Sequence, residues 1–132
     1  MIIRQLSVFL ANETGRMREL VKILGDAKVN ITALSIAETA DYGIVRMIAD
    51  DTEKGLKVLR DAGFSAKTTE VLQVETKDEP GALSGVLGKL ADEGINVEYI
   101  YGHSGHGLSH VIMRVSDPER ASGLLRDYLS GG

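Results

Sequence analysis

The sequence repeats itself at a fixed interval of 66 residues. Aligned without a gap, the segment from Leu6 to Asp61 lies over the segment from Leu72 to Asp127, and 14 of the 56 residue pairs are identical. An internal period of this kind decides the architecture, so it is read before any other feature. The identical pairs include Glu13/Glu79, Gly15/Gly81, Asn30/Asn96, Val45/Val111 and Met47/Met113. The repeat indicates that one α/β unit of about sixty residues has been duplicated.

The spacing of apolar residues predicts strand–helix–strand–strand–helix in each copy, because strands alternate with a period of two and helices repeat every three to four residues. This order favours an α+β fold, a ferredoxin-like split βαβ sandwich with an antiparallel sheet and both helices on one face. In the first copy we predict strands over Ile2–Leu10, Asn30–Thr39 and Tyr42–Ala49, and helices over Arg16–Lys28 and from Asp51 or Thr52 to Ala62. In the second copy we predict strands over Val71–Thr76, Ile95–Tyr101 and Leu108–Val115, a helix with an apolar stripe from Leu83 to Ala91, and a last helix from Asp117.

Each predicted unit needs a fourth strand to close its sheet. Phe64–Thr69 can supply it in the first unit, residues 1–69, whereas only Ser130-Gly131-Gly132 follow the last helix of the second unit, residues 70–132. Either that strand is missing or another segment takes its place. Units of this size are marginal alone, so we expect them to share a core, a sheet edge or a dimer interface. An uncovered sheet edge is a liability in solution, which favours a homodimer.

Composition narrows the classes of function. The net charge is −4 and the pI about 5.3, with only four tyrosines and two phenylalanines as aromatic residues. This argues against a non-specific nucleic-acid binder, which needs a basic face and stacking rings. The absence of cysteine excludes disulfides and cysteine zinc sites. No apolar run is long enough for a transmembrane helix, so we expect no membrane partner and a cytoplasmic location.

Two loops in equivalent positions each join a strand to a helix, Asn12-Glu13-Thr14-Gly15 and Asp78-Glu79-Pro80-Gly81. Free backbone N–H groups and the positive end of the helix dipole suit a carboxylate or phosphate there, and the glycine lets a ligand approach the backbone. The alternative is a loop that only supplies side-chain caps for its helix. Asn30 and Asn96 open the second strand of each copy, where a planar amide offers both a donor and an acceptor to a ligand. The alternative is that each asparagine only completes the preceding helix end.

Three histidines lie close together in the second copy: His103, His106 and His110. Imidazoles at this spacing could hold a transition metal, although they match no specific zinc signature. The alternative is a solvated glycine-rich turn, which we predict over Gly102–Gly107. The sequence contains no nucleophile elbow and no phosphate-binding P-loop, so we predict a protein that is not an enzyme and has no cofactor.

The repeated motif resembles the ACT domain family. In the second copy the resemblance rests on Asp78-Glu79-Pro80-Gly81-Ala82-Leu83 and Glu93-Gly94-Ile95-Asn96-Val97; the first copy departs from it at Thr14 and Lys28. The chain as a whole is similar to small stand-alone proteins of two tandem ACT units, which implies the ferredoxin-like βαββαβ fold. The resemblance also implies amino-acid binding at interfaces between ACT units. Carried over by position, the ligand-binding residues would be Asn12, Glu13, Gly15, Arg16, Met17 and Asn30 in the first copy, and Asp78, Gly81, Ala82, Leu83 and Asn96 in the second.

The sequence therefore leads us to expect a regulatory protein that binds a small ligand, most simply an amino acid. We expect a homodimer, and an enzyme of unknown identity is a further candidate partner. Two alternatives remain open at this point. One is a metal-responsive module that uses the turn at His103, His106 and His110. The other is a purely structural module that binds a partner protein through a sheet edge.

Overall fold

Helices and strands follow one another in the order that the repeat predicts. The computed structural model describes residues 1–130; Gly131 and Gly132, at the end of the predicted second unit, lie outside the described residues. The elements are β1 (Ile2–Ala11), α1 (Arg16–Asp26), β2 (Ile31–Glu38), β3 (Tyr42–Ala49), α2 (Thr52–Asp61), β4 (Ser65–Lys77), α3 (Ala82–Asp92), β5 (Val97–Gly105), β6 (Leu108–Val115) and α4 (Pro118–Ser130). The chain therefore has the α+β fold with βαββαβ-type units that the sequence predicts.

Residues Arg4–Thr69 form one compact unit, called here the first unit. Its strands follow the order β2-β3-β1, and the start of β4 lies beside β1. Both helices pack on the same face of these strands, because residues of α1, α2, β1 and β3 meet in one buried cluster. Members of that cluster without solvent exposure are Leu6, Val8, Leu20, Leu24, Val45, Met47 and Leu59.

The second unit consists of Glu70 onward together with Met1–Ile3. The latter part of β4 lies between the start of β1 and β6, and β5 follows β6. The backbone N–H of Gln73 donates to the Met1 carbonyl at 2.7 Å. Met1 and Ile2 also pack against the buried cluster of this unit, which includes Leu72, Leu90, Met113 and Leu125. Of the two possibilities left open by the sequence, the second therefore holds: another segment takes the place of the closing strand.

This arrangement removes one argument for a homodimer. The sheet edge that was expected to lie uncovered in the second unit is occupied by Met1–Ile3. It also means that β1 and β4 each have residues in both units. The predicted strands Phe64–Thr69 and Val71–Thr76 are one uninterrupted strand, β4, because no turn residue separates them.

The turn between β5 and β6 is shorter than the sequence predicts. The segment Gly102–Gly107 is rich in glycine, yet β5 continues through it to Gly105 and pairs His103 with His110. Only His106 and Gly107 form the turn, with φ of 56° and 79°. Positive φ at both central residues is typical of a tight two-residue β-hairpin. The prediction of a six-residue turn was wrong because strand pairing with β6 outweighs the low strand propensity of glycine.

Within the described residues, no helix is both long enough and apolar enough to cross a membrane.

Candidate functional site

The two repeated loops have the same backbone conformation. Gly15 and Gly81 stand immediately before α1 and α3, with φ of 86° and 90°, in the left-handed region that favours glycine. Neither helix start receives a hydrogen bond from a side-chain cap. The interpretation of these loops as suppliers of side-chain caps was therefore wrong, because the residue in the capping position is a glycine.

The other two helices differ in this respect. The Lys54 N–H donates to the Asp51 side chain at 3.1 Å at the start of α2, and the Arg120 N–H donates to Asp117 at 3.2 Å at the start of α4. An aspartate in this position satisfies a backbone donor that the helix leaves unpaired. The uncapped starts of α1 and α3 are thus a shared property of the repeated loops. At the other end of α2, the hydrogen bond and charge of Asp61 raise the pKa of Lys57.

Each loop is held against the hairpin turn of its own unit. The Asn12 N–H donates to the Asp41 carbonyl at 2.8 Å, and the equivalent Asp78 N–H donates to the Gly107 carbonyl at 3.0 Å. Side chains add to both contacts in different ways. The Asn12 amide donates to the Ala40 carbonyl at 3.1 Å, whereas the Ser104 hydroxyl donates to the Asp78 carboxylate at 3.2 Å. These bonds fix where each loop stands.

The residues around the glycines differ between the two units. The Arg16 guanidinium forms an ion pair with Glu19 at 2.7 Å and lies 4.8 Å from the centre of the Phe64 ring. Ala82 stands at the equivalent position in the second unit and has no charge. Among the other predicted site residues, Met17 packs against the first core, while Glu13 and Leu83 are exposed. The two loops therefore offer a shared backbone and different side chains.

Asn30 and Asn96 occupy a second repeated arrangement. The Asn30 N–H donates to the Asp50 carboxylate at 2.9 Å, and the Asn96 N–H donates to the Ser116 hydroxyl at 3.0 Å. The Asp50 and Ser116 N–H groups return bonds of 3.0 Å to the asparagine carbonyls. Both asparagines are exposed, and within residues 1–130 the structure records no hydrogen bond from either side-chain amide. The sequence did not single out Asp50 and Ser116 as partners, although the repeat places them at equivalent positions.

The structure separates the asparagines from the loops within each unit. Asn30 follows the end of α1 and Gly15 precedes its start, and a helix of 11 residues spans about 16 Å at 1.5 Å per residue. Likewise, Asn12 is bonded to Asp41, which directly precedes β3, and Asn30 is bonded to Asp50, which directly follows it. In the second unit, α3 separates Gly81 from Asn96 in the same manner. The predicted site residues thus form two groups per unit, and no free amino acid could touch both groups of one unit.

Two surface clefts flank the start of α3. One has a volume of about 720 Å³, and its lining includes Thr76, Glu79, Ala82, Leu108 and Tyr128. The other has a volume of about 270 Å³ and lies between Leu83 and β5, at Ile100 and Ser104. The predicted residues Ala82 and Leu83 therefore belong to different clefts, which the helical spacing of neighbouring residues explains.

The histidines do not form one cluster. The His103 and His110 rings stack with their centroids 5.1 Å apart, and His110 Nδ1 lies 3.3 Å from a Glu75 carboxylate oxygen. His106 lies in the turn beyond them. Across residues 1–130, no group of three histidine, aspartate or glutamate side chains is placed to hold a metal ion.

Comparison with known proteins agrees with this architecture. A family model described as an ACT domain pair matches residues 1–128. The protein BT0572 from Bacteroides thetaiotaomicron has a similar crystal structure, with a TM-score of 0.94 and 38% sequence identity over 97% of this chain and 89% of that one. The ligand-free regulatory subunit of aspartate kinase from Thermus thermophilus shares the fold, with a TM-score of 0.71 and 13% identity over 96% of each chain.

The corresponding subunit from Thermus flavus has a TM-score of 0.68 and 14% identity, covering 96% of this chain and 92% of that one. No curated protein matches the chain. The resemblance drawn from the repeated loop motif is confirmed by the family model, which extends over both copies of the repeat. The chain belongs to the ACT family and contains an ACT domain pair.

Proposed function

We propose that this protein is a non-catalytic regulator that binds an amino acid where ACT units of two chains meet. The observation that supports the proposal most directly is the repeated loop, which has a left-handed glycine before a helix start without a side-chain cap. The Arg16 and Ala82 N–H groups already donate to the Glu13 and Glu79 carbonyls. A ligand carboxylate would accept hydrogen bonds from the other N–H groups of the first helical turn and would also interact favourably with the helix dipole. The proposed ligand-binding residues are those predicted from the sequence apart from Arg16, with the loops and the asparagines in separate roles.

The asparagines supply the second half of the proposed site. A side-chain amide without a partner can accept from the ligand ammonium group through its oxygen and donate through its nitrogen. Because Asn30 lies at the far end of α1 from Gly15, the asparagine at a given loop must come from another ACT unit. We propose that a second copy of the chain provides it. Arg16 is already paired with Glu19, so we assign it to shaping the first loop and do not give it the ligand charge.

Exposed apolar residues on the edge strands support association of two copies. β2 and β5 stand at the ends of the strand order, and each pairs with one neighbouring strand. Leu34 and Ile36 on β2 are 46% and 50% exposed, and Ile100, which is equivalent to Leu34, is 38% exposed. Apolar side chains along an open sheet edge favour pairing with another chain. This argument for a homodimer replaces the one based on an uncovered edge in the second unit.

Ligand binding between two units would bias how they pack, and such a bias is the physical basis of regulation. The two similar Thermus proteins are regulatory subunits of an enzyme, which supports a regulatory role here and an enzyme as the partner that responds. The cytoplasm is the proposed location.

The experiment is a thermal-shift screen of the whole chain against the twenty amino acids at concentrations up to about ten millimolar. A ligand that binds only the folded state raises the melting temperature by mass action. We expect at least one amino acid to do so. Asn96→Ala should abolish its effect if Asn96 is the asparagine that contacts the ligand, and Asn30→Ala should abolish it if Asn30 is. A flat response to all twenty amino acids would refute the proposal.

Gly81→Val tests the loop and has a matched control. It places a β-branched residue at φ 90°, which is strained and also crowds the ligand approach. Gly63→Val creates the same strain at φ 89°, after α2 and outside both loops. We expect both variants to lower the melting temperature, and only Gly81→Val to lose the response of a ligand bound at the second loop. Equal ligand responses in the two variants would argue against the loop as a binding site.

A further inference from the structure

The larger cleft has a counterpart in the first unit that is filled by a phenylalanine. Phe64 follows the end of α2, is only 6% exposed, and belongs to the same buried cluster as Leu10 and Leu20. Its ring lies beneath the Arg16 guanidinium. At the positions 66 residues later, Thr76, Val86 and Ala82 line the open cleft of about 720 Å³. In the first unit the equivalent space is therefore filled by the Phe64 ring, whereas in the second unit it is open.

The four positions change together between the two units. Leu10 becomes Thr76, Leu20 becomes Val86, Arg16 becomes Ala82, and the position of Phe64 is taken by Ser130. Every one of these changes replaces a larger side chain with a smaller one. The smaller side chains leave space that is open to solvent as the cleft. A small molecule could occupy this space.

The wall of the cleft is built by residues that the first unit lacks. Tyr128 and Leu129 stand where the first unit has Ala62 and Gly63. α2 ends at Asp61 before the left-handed Gly63, whereas α4 continues through Leu129 to Ser130. The Tyr128 hydroxyl lies against Gly85, so an added Cβ at Gly85 would displace the tyrosine side chain. The helix extension thus forms an aromatic and aliphatic wall in place of the chain segment that fills the first unit.

Charges at the cleft select among ligands. Glu79 and Asp127 are acidic residues of the lining and Lys77 is a basic one, whereas the carboxylate of Glu75, which also lines the cleft, is paired with His110 on the neighbouring strand. The local balance is negative, which favours a ligand with a positively charged group and disfavours an anion. The volume is within the range of small-molecule sites in proteins.

We propose that the cleft of the second unit binds a small molecule that has an aromatic ring and an ammonium group, with the ring in the space that Phe64 fills in the first unit. Aromatic amines and aromatic amino acids share this chemistry. This site shares Ala82 with the proposed site between chains but differs from it in needing neither asparagine nor a second copy.

The experiment measures binding of three probes to the whole chain by nuclear magnetic resonance, from the backbone amide shifts. The probes are phenethylamine, L-phenylalanine and 3-phenylpropionate, which carry the same ring with a positive, a zwitterionic and a negative end. We expect shifts at Thr76, Ala82 and Leu108, and about tenfold tighter binding of phenethylamine than of 3-phenylpropionate at moderate salt. Binding of L-phenylalanine as tight as that of phenethylamine would identify aromatic amino acids as the class of ligand. Absence of shifts at the cleft with all three probes, at up to ten millimolar, would overturn the proposal.

Variants that fill the cleft provide the decisive comparison. Ala82→Phe places a ring in the space, and the pair Thr76→Leu with Val86→Leu restores the residues of the first unit, which folds with them. Both changes should reduce phenethylamine binding at least tenfold, while Ser84→Phe, an exposed position on the same helix outside the cleft lining, should leave it unchanged. If Ala82→Phe instead alters the molecular mass in sedimentation equilibrium and no probe binds, a second copy of the chain occupies the cleft and the proposal is wrong. The amino-acid screen described above can fail while phenethylamine still binds here, so the two proposals are tested independently.

Discussion

Replacing Ile2 should weaken the second unit, although the residue lies two positions before the start of the first unit in the sequence. Ile2 packs, partly buried, against the core of the second unit, and its neighbour Met1 accepts the hydrogen bond from Gln73. Truncating a fully buried isoleucine to alanine costs about 2–5 kcal/mol. Because Ile2 is only partly buried, we expect Ile2→Ala to lower the free energy of unfolding of the second unit by about 1–3 kcal/mol.

The assay is hydrogen–deuterium exchange followed residue by residue. A loss of about 1–3 kcal/mol accelerates exchange through local or global opening by roughly 5- to 150-fold. The acceleration should appear at Leu72–Thr76 in β4 and in the strands β6 and β5 of the same unit. Ile3→Ala is the matched control, because Ile3 belongs to neither buried cluster. We expect it to change exchange in β4 by less than about threefold.

The reasoning would be refuted if Ile2→Ala accelerated exchange only within Arg4–Thr69, or if Gln73 exchanged at an unchanged rate. Either result would mean that Met1–Ile3 does not close the second unit in solution.

Two further predictions concern backbone conformation. Lys28 has a φ of 64°, and the equivalent Gly94 of the second unit has a φ of 73°. Gly94→Ala should therefore lower the free energy of unfolding, measured by urea denaturation, by about 1–2 kcal/mol. Lys28→Gly should raise it by up to about 1 kcal/mol. An alanine variant of Gly94 as stable as the parent would contradict this. Gly102→Ala should cost more than about 1 kcal/mol, because an added methyl group runs into the His110 carbonyl; Gly105→Ala, which meets nothing, should change the midpoint little.

Much of the architecture could be predicted because the repeat reports it twice. Strand β3 and strand β6 have the predicted bounds, and the loops at Gly15 and Gly81 stand where the helix starts were expected. The closure of the second unit by Met1–Ile3 could not be predicted from periodicity, since strand alternation reveals which residues face a core but not which core they face.

The separation of each asparagine from the loop of its own unit could have been predicted from the sequence. A residue that follows a helix must lie a helix length away from the residue that precedes it, and α1 is long enough to exclude a shared contact with a small ligand. The cleft of the second unit could also have been suspected, because the repeat already shows Arg16, Leu20 and Phe64 replaced by smaller residues. What the sequence could not show is that the Tyr128 hydroxyl stands over Gly85, which depends on how far α4 continues.

The place of Met1–Ile3 has a consequence for the order of folding. These residues are synthesised well before Gln73. Their pairing with β4 cannot form until β4 has been made, roughly seventy residues later. Contacts between distant residues slow folding, because a long loop must close before they form. Cleavage between residues 69 and 70 would likewise fail to yield two self-sufficient modules, because the second would lack a strand that stays attached to the first. The sequence contains two repeats, but the second unit can fold completely only when the first residues of the chain are also present.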